Sequence, residues 1–160
     1  MVNFVRTPFT KLFFMKSSLF LLALCCLIGS CSKHYSPADH PGSSIVFGSG
    51  GGFTGGATEY LLLENGQFFK KQNYDTLYMK AARRLNRDLV KQTFDNYEFL
   101  QLAQVQYDKP GNFYYYLEHR TPQQTSQQIL WADGAKDVPP AVRTYYRNLN
   151  QLVKQAHFEE

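Results

Sequence analysis

The sequence predicts an α+β domain whose small antiparallel sheet is built from two hairpins, each followed by a helix packed on one face. Asn65-Gly66 separates two apolar runs, a pattern typical of a tight hairpin. The aromatic segment 113–119 and the segment 127–133 form a second candidate hairpin. Apolar residues recur at helical spacing after each hairpin, which predicts the two helices.

A glycine-rich segment precedes the first hairpin. Residues 48–56 contain six glycines and follow a candidate strand at 44–47. The glycines satisfy the G-x-G-x-x-G pattern, but the next segment, 57–64, is typical of a strand and not of the helix that a dinucleotide-binding loop opens. The segment is therefore predicted to be a wide bulged connection between strands, and an anion-binding or partner-binding loop is the alternative.

The Asn-Gly pair also predicts the register of the first hairpin. A two-residue loop sets Leu63 opposite Phe68 and Leu62 opposite Phe69. Both faces of the hairpin are then apolar near its tip. We expect one face to pack on the helices of the domain and the other to be covered by the glycine-rich loop or presented to a partner.

The first helix is predicted to begin after an N-cap at Asn86 and to run from Arg87 to about Leu102. The segment 77–84 is predicted either to extend the sheet as a third strand or to begin this helix. A local cluster of cations is predicted to be a solvated face, with contact to anionic headgroups or a polyanionic glycan as the alternative. Its members are Lys80, Arg83, Arg84, Arg87 and Lys91.

In the second half, the turn 108–112 leads into the aromatic strand 113–119. Side chains alternate along a strand, so Tyr114 and Tyr116 share one face and Tyr115 lies on the other. A tyrosine ladder can stack sugars, but ordinary sheet packing is the favoured interpretation. The last helix is predicted to start at Asp137-Val-Pro-Pro140, since proline is tolerated in a first turn.

Residues 1–30 are predicted to be a secretory signal peptide. Residues 19–28 form an uninterrupted apolar run, which as a helix would reach about 15 Å, half of a hydrocarbon core. Cations precede the run and small residues follow it, which is typical of a secretory signal. Translation is predicted to start at Met15, immediately before the run, or at Met1 with a longer basic segment.

The sequence Ile28-Gly29-Ser30-Cys31 closes the apolar run. It resembles the bacterial lipobox, in which an aliphatic and two small residues precede a cysteine that becomes the acylated N-terminus. By this resemblance Cys31 is the lipidation site, carrying chains such as palmitate, and the protein is anchored in the bacterial cell envelope. Ser32 after the anchor is compatible with delivery to the outer membrane, facing the periplasm or the cell surface.

Residues 31–43 are polar and predict a flexible tether, which leaves 44–158 as a single α+β domain. Without the leader the chain has 14 basic and 13 acidic residues. The basicity of the whole chain is therefore mostly a targeting feature and does not indicate nucleic-acid binding. Cys31 is the one cysteine left, so a disulfide, a thiolate nucleophile or a Cys-ligated metal is not expected in the domain.

Recognisable catalytic, metal-binding and cofactor-binding motifs are absent from the sequence. No catalytic residue, metal ligand or cofactor is therefore predicted. The first hypothesis is a noncatalytic binding or accessory domain that holds an envelope protein or glycan, with Phe53, Tyr114 and Tyr116 as the candidate binding surface.

Two other function classes stay open. A hydrolase acting on an envelope component would use Asp108, His119 or Asp133. A purely structural envelope role is the third hypothesis, and it predicts no dependence on either set of residues.

Three segments of the mature domain carry a second resemblance: residues 47–55, Pro110-Gly-Asn-Phe-Tyr-Tyr and Ile129-Leu-Trp, followed by the helix that starts with two prolines. Through them the domain resembles small uncharacterised lipoproteins of Gram-negative bacteria. The resemblance extends over most of the mature chain and implies no activity.

Overall fold

The computed structural model describes Pro37 and residues 40–73, 75–124 and 128–158. All of these belong to one compact unit, Tyr35–Glu160. The predicted signal peptide, Cys31 and most of the predicted tether lie outside the described residues.

The described residues form one mixed α/β structure with a mostly antiparallel sheet and two helices. In chain order the elements are β1 (Ser44–Gly51), β2 (Ala57–Leu63), β3 (Phe68–Gln72), β4 (Met79–Lys80), α1 (Arg87–Phe99), β5 (Asp108–Lys109), β6 (Phe113–Arg120), β7 (Gln128–Ala132) and α2 (Pro140–Gln155). A short 3₁₀ turn, Leu102–Gln104, follows α1.

The sheet is larger than the predicted pair of hairpins. Among the described residues its order is β4-β3-β2-β1-β6-β7-β5. Strand β1 pairs antiparallel with both β2 and β6, and so joins the two hairpins into one sheet. Only β5, at one edge, pairs in parallel, with β7.

Strand β1 is longer than predicted because its glycines make room for tyrosines. The prediction ended this strand at Phe47, whereas it continues to Gly51. A Cβ at Gly48 would lie 2.1 Å from the carbonyl oxygen of Thr58 and 2.9 Å from the hydroxyl of Tyr116. Glycine is therefore required here by close approach within the sheet.

The rest of the glycine-rich segment forms the loop between β1 and β2. Gly51, Gly52 and Gly55 have positive φ angles of 96°, 80° and 64°. The Gly51 amide donates a hydrogen bond to the Gly56 carbonyl at 3.1 Å, which closes the loop. A segment predicted to be one wide connection is thus half strand and half tight loop.

The predicted register of the next hairpin is wrong by one residue. Leu62 lies opposite Phe68, and Leu61 lies opposite Phe69. Only Gly66 in this turn has a positive φ angle, 84°, so the loop has three residues and not the two that a type I′ turn requires. Asn65 keeps an ordinary φ and accepts a hydrogen bond from the Gln67 amide at 2.9 Å.

Helix α1 begins where predicted and ends earlier. The Asn86 side chain accepts hydrogen bonds from the amides of Asp88 (2.8 Å) and Leu89 (3.4 Å), which confirms the N-cap. The helix ends at Phe99, because Gln101 adopts a left-handed conformation with a φ of 52°. The ambiguous segment before the helix contains the two-residue strand β4.

Both helices pack on the same face of the sheet. Helix α2 begins at Pro140, as predicted, and buries Val142, Tyr145, Leu149 and Leu152. The Tyr145 hydroxyl donates a hydrogen bond to the Thr93 carbonyl at 3.0 Å, which ties α2 to α1. The sheet side of this core consists of Ile45, Phe47, Leu62, Phe68, Leu117, Ile129 and Trp131.

The opposite face of the sheet carries a second, smaller cluster. Its buried members are Val46, Leu61, Leu63, Phe69 and Tyr116. They alternate along the strands with the residues of the main core, as side chains of a two-faced sheet must. The prediction that both faces are apolar near the first hairpin is therefore confirmed.

Candidate functional site

A row of four side chains crosses the sheet near the glycine-rich end of β1. Thr58 lies opposite Ser49, Ser49 opposite Tyr115, and Tyr115 opposite Trp131. All four point to the face that carries the helices, because they sit in register across β2, β1, β6 and β7. They form the floor of an open groove of about 570 Å³.

Helix α2 forms the wall of this groove. The lining side chains from α2 are Arg143, Tyr146, Arg147, Asn150, Gln151 and Lys154. They recur at three- and four-residue intervals, so they share one side of the helix. This side of α2 borders the apolar stripe that packs on the sheet. The groove therefore runs along the junction between α2 and the sheet.

Tyr146 fixes the wall to the floor. Its hydroxyl donates a hydrogen bond to the Gly48 carbonyl at 2.8 Å. Its ring centroid lies 5.5 Å from that of Tyr115 and 5.0 Å from that of Trp131, both in edge-on contacts. Tyr60, on the next row of the sheet, completes the aromatic lining. Such edge-on contacts add to the energy of burial and hold the rings in fixed positions.

In the described part of the chain, the charged side chains that line the groove are all cations. They are Arg143, Arg147 and Lys154, and no described aspartate or glutamate belongs to the lining. Burial raises the pKa of Tyr60, Tyr115 and Tyr146 above the ordinary value, so the phenols are neutral at pH 7. The groove therefore combines neutral aromatic surface with positive charge.

Sequence reasoning missed this groove. The cations Arg143, Arg147 and Lys154 lie outside the apolar residues that recur along the last helix, and no role was predicted for them. Their spacing, together with Tyr146 and Asn150, was the available signal that one helix side carries both charge and hydrogen-bonding groups. The floor had no such signal, because the pairing of β1 with β6 places Ser49 opposite Tyr115, 66 positions later in the chain.

Two of the predicted binding residues lie on the opposite face of the sheet. Tyr114 and Tyr116 lie opposite Gly50 and Gly48 on β1, and a Cβ at either glycine would lie within 2.9 Å of the tyrosine hydroxyl. The Tyr116 hydroxyl donates a hydrogen bond to Glu59 at 3.1 Å. Burial, with the nearby Glu59 carboxylate, raises the pKa of Tyr116, so this pair keeps its proton on the phenol.

Phe53, the third predicted binding residue, lies at the tip of the loop between β1 and β2. Its side chain is fully exposed and covers neither face of the sheet. Phe113 is also partly exposed at this end, opposite Gly51. The structure thus brings Tyr114 and Tyr116 together and leaves Phe53 on a separate loop, and the binding role of all three stays a prediction.

The residues of the hydrolase hypothesis do not form one site. Asp133 lies beside Phe113, since its amide donates to the Phe113 carbonyl at 2.8 Å. His119 is six residues farther along β6, about 20 Å away at the rise of an extended strand. Asp108 lies on β5, which is separated from β6 by β7.

His119 lines a separate cleft of about 410 Å³ between α1 and the sheet. Its Nδ1 lies 3.8 Å from the Glu98 carboxylate, and its ring centroid lies 4.7 Å from that of Tyr97. Burial lowers the pKa of His119, opposed by the charges of Glu98 and Glu64. A buried neutral imidazole against aromatic rings fits a structural role.

In the described part of the chain, no group of three or more His, Cys, Asp or Glu side chains is close enough to hold a metal ion. Helices long and apolar enough to cross a membrane do not occur among these residues either.

Comparison with known proteins gives no family. No protein-family model matches the chain, and no curated protein matches it with significance. The function is therefore inferred from the geometry of the groove and from the signal peptide that the sequence predicts.

Proposed function

We propose that this protein is a lipid-anchored lipoprotein of the bacterial cell envelope whose domain is a noncatalytic binding module. The binding site of this module is the groove between α2 and the sheet. The membrane is one partner, through Cys31, and an envelope component held in the groove is the other. Nucleic acid is not proposed as a partner.

The observation that carries the binding role is the composition of the groove. Four aromatic rings and three cations line about 570 Å³ of open space. Concave sites with aromatic surface and a few convergent polar groups are the usual form of ligand-binding sites. The groove has positively charged and amide groups, which favour binding. Among the described residues that line it there is no carboxylate or histidine of the kind that general acid–base chemistry commonly uses.

The groove lies away from the N-terminal end of the domain, by which the proposed anchor would hold it. The proposed tether enters β1 at Ser44, and the groove floor begins at Ser49 on the same strand. These two positions are about 17 Å apart at the rise of an extended strand. The groove is thus displaced along β1 from the point at which the tether enters the sheet.

The test of the binding role is co-sedimentation of the full-length chain, purified in mild detergent, with isolated envelope polymer. We expect the parent protein to sediment with the polymer, and the double variant Arg147→Gln/Lys154→Gln to stay in the supernatant. The matched control is Arg83→Gln/Arg84→Gln, which removes the same charge at two exposed residues that line a different hollow. Equal sedimentation of all three proteins would reject the groove as the binding site.

The test of the anchor is separate. The parent and Cys31→Ala are expressed in a bacterium supplied with a fatty-acid analogue that can be labelled. We expect label on the parent only, because the proposed acyl chain is linked to that cysteine. Label on both proteins, or on neither, would contradict the proposed anchor and leave the binding test unaffected.

A further inference from the structure

We infer that the groove takes a saccharide that carries negative charge, such as a chain of sugars with carboxylate groups. This inference rests on the proposed function, because it names the class of ligand for the same site. It follows from which charges the groove holds, which side chains it lacks, and how the polar groups are arranged.

The positive charge of the groove is available to a ligand. In the described part of the chain, the side chains of Arg147 and Lys154 make no hydrogen bond or ion pair with another residue. The Arg143 guanidinium donates to the carbonyls of Val138 (3.1 Å) and Lys136, so it is held in place without being neutralised. Guanidinium and ammonium groups in such positions bind carboxylates or phosphates through charge-assisted hydrogen bonds.

The lack of aliphatic side chains in the groove argues against an apolar ligand. Among the residues that the structure describes, none of the side chains that line the groove is Ala, Val, Leu, Ile, Met or Pro. A lipid acyl chain or an apolar peptide side chain needs aliphatic surface to replace the water that it leaves. The aromatic rings do not supply a deep slot for such a group, because Trp131 is only 6% exposed beneath Tyr146.

The uncharged polar groups match the hydroxyl groups of sugars. Gln151 offers an amide from α2, and Ser49 and Thr58 offer hydroxyls from the floor. Asn150 also lines the groove, and its side chain is oriented by a hydrogen bond that its amide nitrogen donates to the Tyr146 carbonyl at 2.9 Å. Each of these groups can donate and accept hydrogen bonds, as a sugar hydroxyl also does. The half-buried rings of Tyr60 and Tyr115 lie among them and present flat apolar surface for the C–H side of a sugar ring.

The length of the cationic rim indicates a ligand of several units. Arg143 and Lys154 stand at opposite ends of the α2 wall, eleven residues apart. This separation is about 16 Å along the helix axis. One sugar ring cannot reach both ends, so we expect an oligosaccharide to bind more tightly than a single sugar.

The test is a fluorescence titration of the full-length chain in mild detergent. Trp131 is the only tryptophan and lies in the groove floor, so its emission reports occupancy of this site. Three probes are compared: trigalacturonate, its neutral methyl ester, and a glutamate tripeptide blocked at both ends. The first and third carry the same number of carboxylates, and the first two share the sugar rings.

We expect trigalacturonate to bind at least about tenfold more tightly than either of the other probes. The Arg147→Gln/Lys154→Gln variant should lose about tenfold or more of this affinity, which corresponds to the loss of two charge-assisted contacts. The Arg83→Gln/Arg84→Gln control, from the cationic cluster that is predicted to be a solvated face, should bind like the parent; a loss of affinity in this variant instead would move the saccharide site to that cluster. Unchanged thermal unfolding of both variants shows that the loss is not a loss of folding.

Failure of this inference is distinguishable from failure of the proposed function. If the blocked glutamate peptide binds as tightly as trigalacturonate, the groove takes acidic peptides, and the inference is overturned while a binding groove remains. If the methyl ester binds equally well, charge is not recognised, and the inference is again overturned. If no probe binds although co-sedimentation depends on Arg147 and Lys154, the ligand is not an anionic saccharide.

Discussion

The two faces of β6 use the same residue type for different purposes. On the face that carries the helices, the Tyr115 ring lies in the floor of the groove, half-exposed, beside Tyr146 and Trp131. On the opposite face, Tyr116 is buried, lies across from Gly48 and donates its hydroxyl to Glu59. One face thus offers aromatic surface to a ligand, and the other uses it to fill the space above glycines.

An aromatic strand does not by itself identify a binding surface. Adjacent tyrosines point to opposite faces, and what lies across the sheet decides their role. Tyr115 lies opposite Ser49, and a polar groove results. Tyr116 lies opposite Gly48, and a packed ring results.

The largest contrast is expected between substitutions at two neighbouring residues of β1, one on each face of the sheet. Gly48→Ala should lower the free energy of unfolding by about 1–3 kcal/mol, because the new Cβ would meet the Thr58 carbonyl and the Tyr116 hydroxyl. Ser49→Ala, which faces the groove, should change it by less than about 0.5 kcal/mol. Urea unfolding of both variants measures this contrast. Equal effects would mean that the two faces are packed alike.

A smaller effect is expected from removing one hydroxyl on each face. Tyr116→Phe should destabilise the protein by about 1–2 kcal/mol, because a buried hydrogen bond to the Glu59 carboxylate is lost. Tyr115→Phe loses only an exposed contact with Asp133, 3.2 Å long, and should cost less than about 0.5 kcal/mol. The comparison is again made by urea unfolding, and a larger cost for Tyr115→Phe would reverse the assignment of the two faces.

The pH dependence of stability tests whether His119, which lies on the helix-side face outside the groove, is shielded from water. Burial lowers the pKa of His119 below that of the unfolded chain, so the unfolded state binds the proton first as the pH falls. The free energy of unfolding should therefore decrease as the pH falls below about 6.5 and stop decreasing below the pKa of the folded histidine. The charged groups that line this cleft are Glu64, Arg87, Lys91, Asp95 and Glu98.

The control for this pH dependence is His119→Gln, in which the decrease between neutral pH and pH 5 should be smaller. Thermal unfolding at a series of pH values measures the difference. A parent protein that becomes more stable as the pH falls through this range would show that the Glu98 and Glu64 charges outweigh burial at this histidine.

The smallest effect is expected at an exposed ion pair beyond the groove. Hydrogen bonds from Lys109 and Tyr107, both at 2.6 Å, lower the pKa of Asp137 to about 2. Its stabilising contribution is present above the pKa of an unfolded aspartate, about 3.9, and is lost as the pH falls toward 2. NMR titration of the Asp137 carboxyl carbon measures this pKa, and Lys109→Gln should raise it. An unchanged pKa in that variant would contradict the assigned cause.

Local signals predicted much of the fold. Asn86 as N-cap, the start of α2 after Pro139, and the strands of both hairpins follow from residues that are close in sequence. The register of the first hairpin was wrong because Asn-Gly occurs in a three-residue loop as well as in a two-residue one. The choice between them depended on the Asn65 side chain, which accepts a hydrogen bond from the Gln67 amide.

The groove was beyond prediction for a different reason. Ser49 pairs with Tyr115, which is distant in the chain, and no local sequence pattern predicts this pairing. The same pairing explains the glycines of β1: Gly48 and Gly50 are required by tyrosines of β6, and sequence reasoning assigned both to a connecting loop. A single sequence does not reveal the role of a residue when that role depends on packing against residues far away in the chain.

In the proposed function, ligand binds on the helix-side face of the sheet and not on the opposite face. Aromatic NMR of the full-length chain, with ¹³C-labelled tyrosine and titrated with trigalacturonate, tests it directly. We expect the resonances of Tyr115 and Tyr146 to shift with the ligand while those of Tyr114 and Tyr116 stay in place. Shifts confined to Tyr114 and Tyr116 would contradict the account and move the binding site to the other side of the sheet.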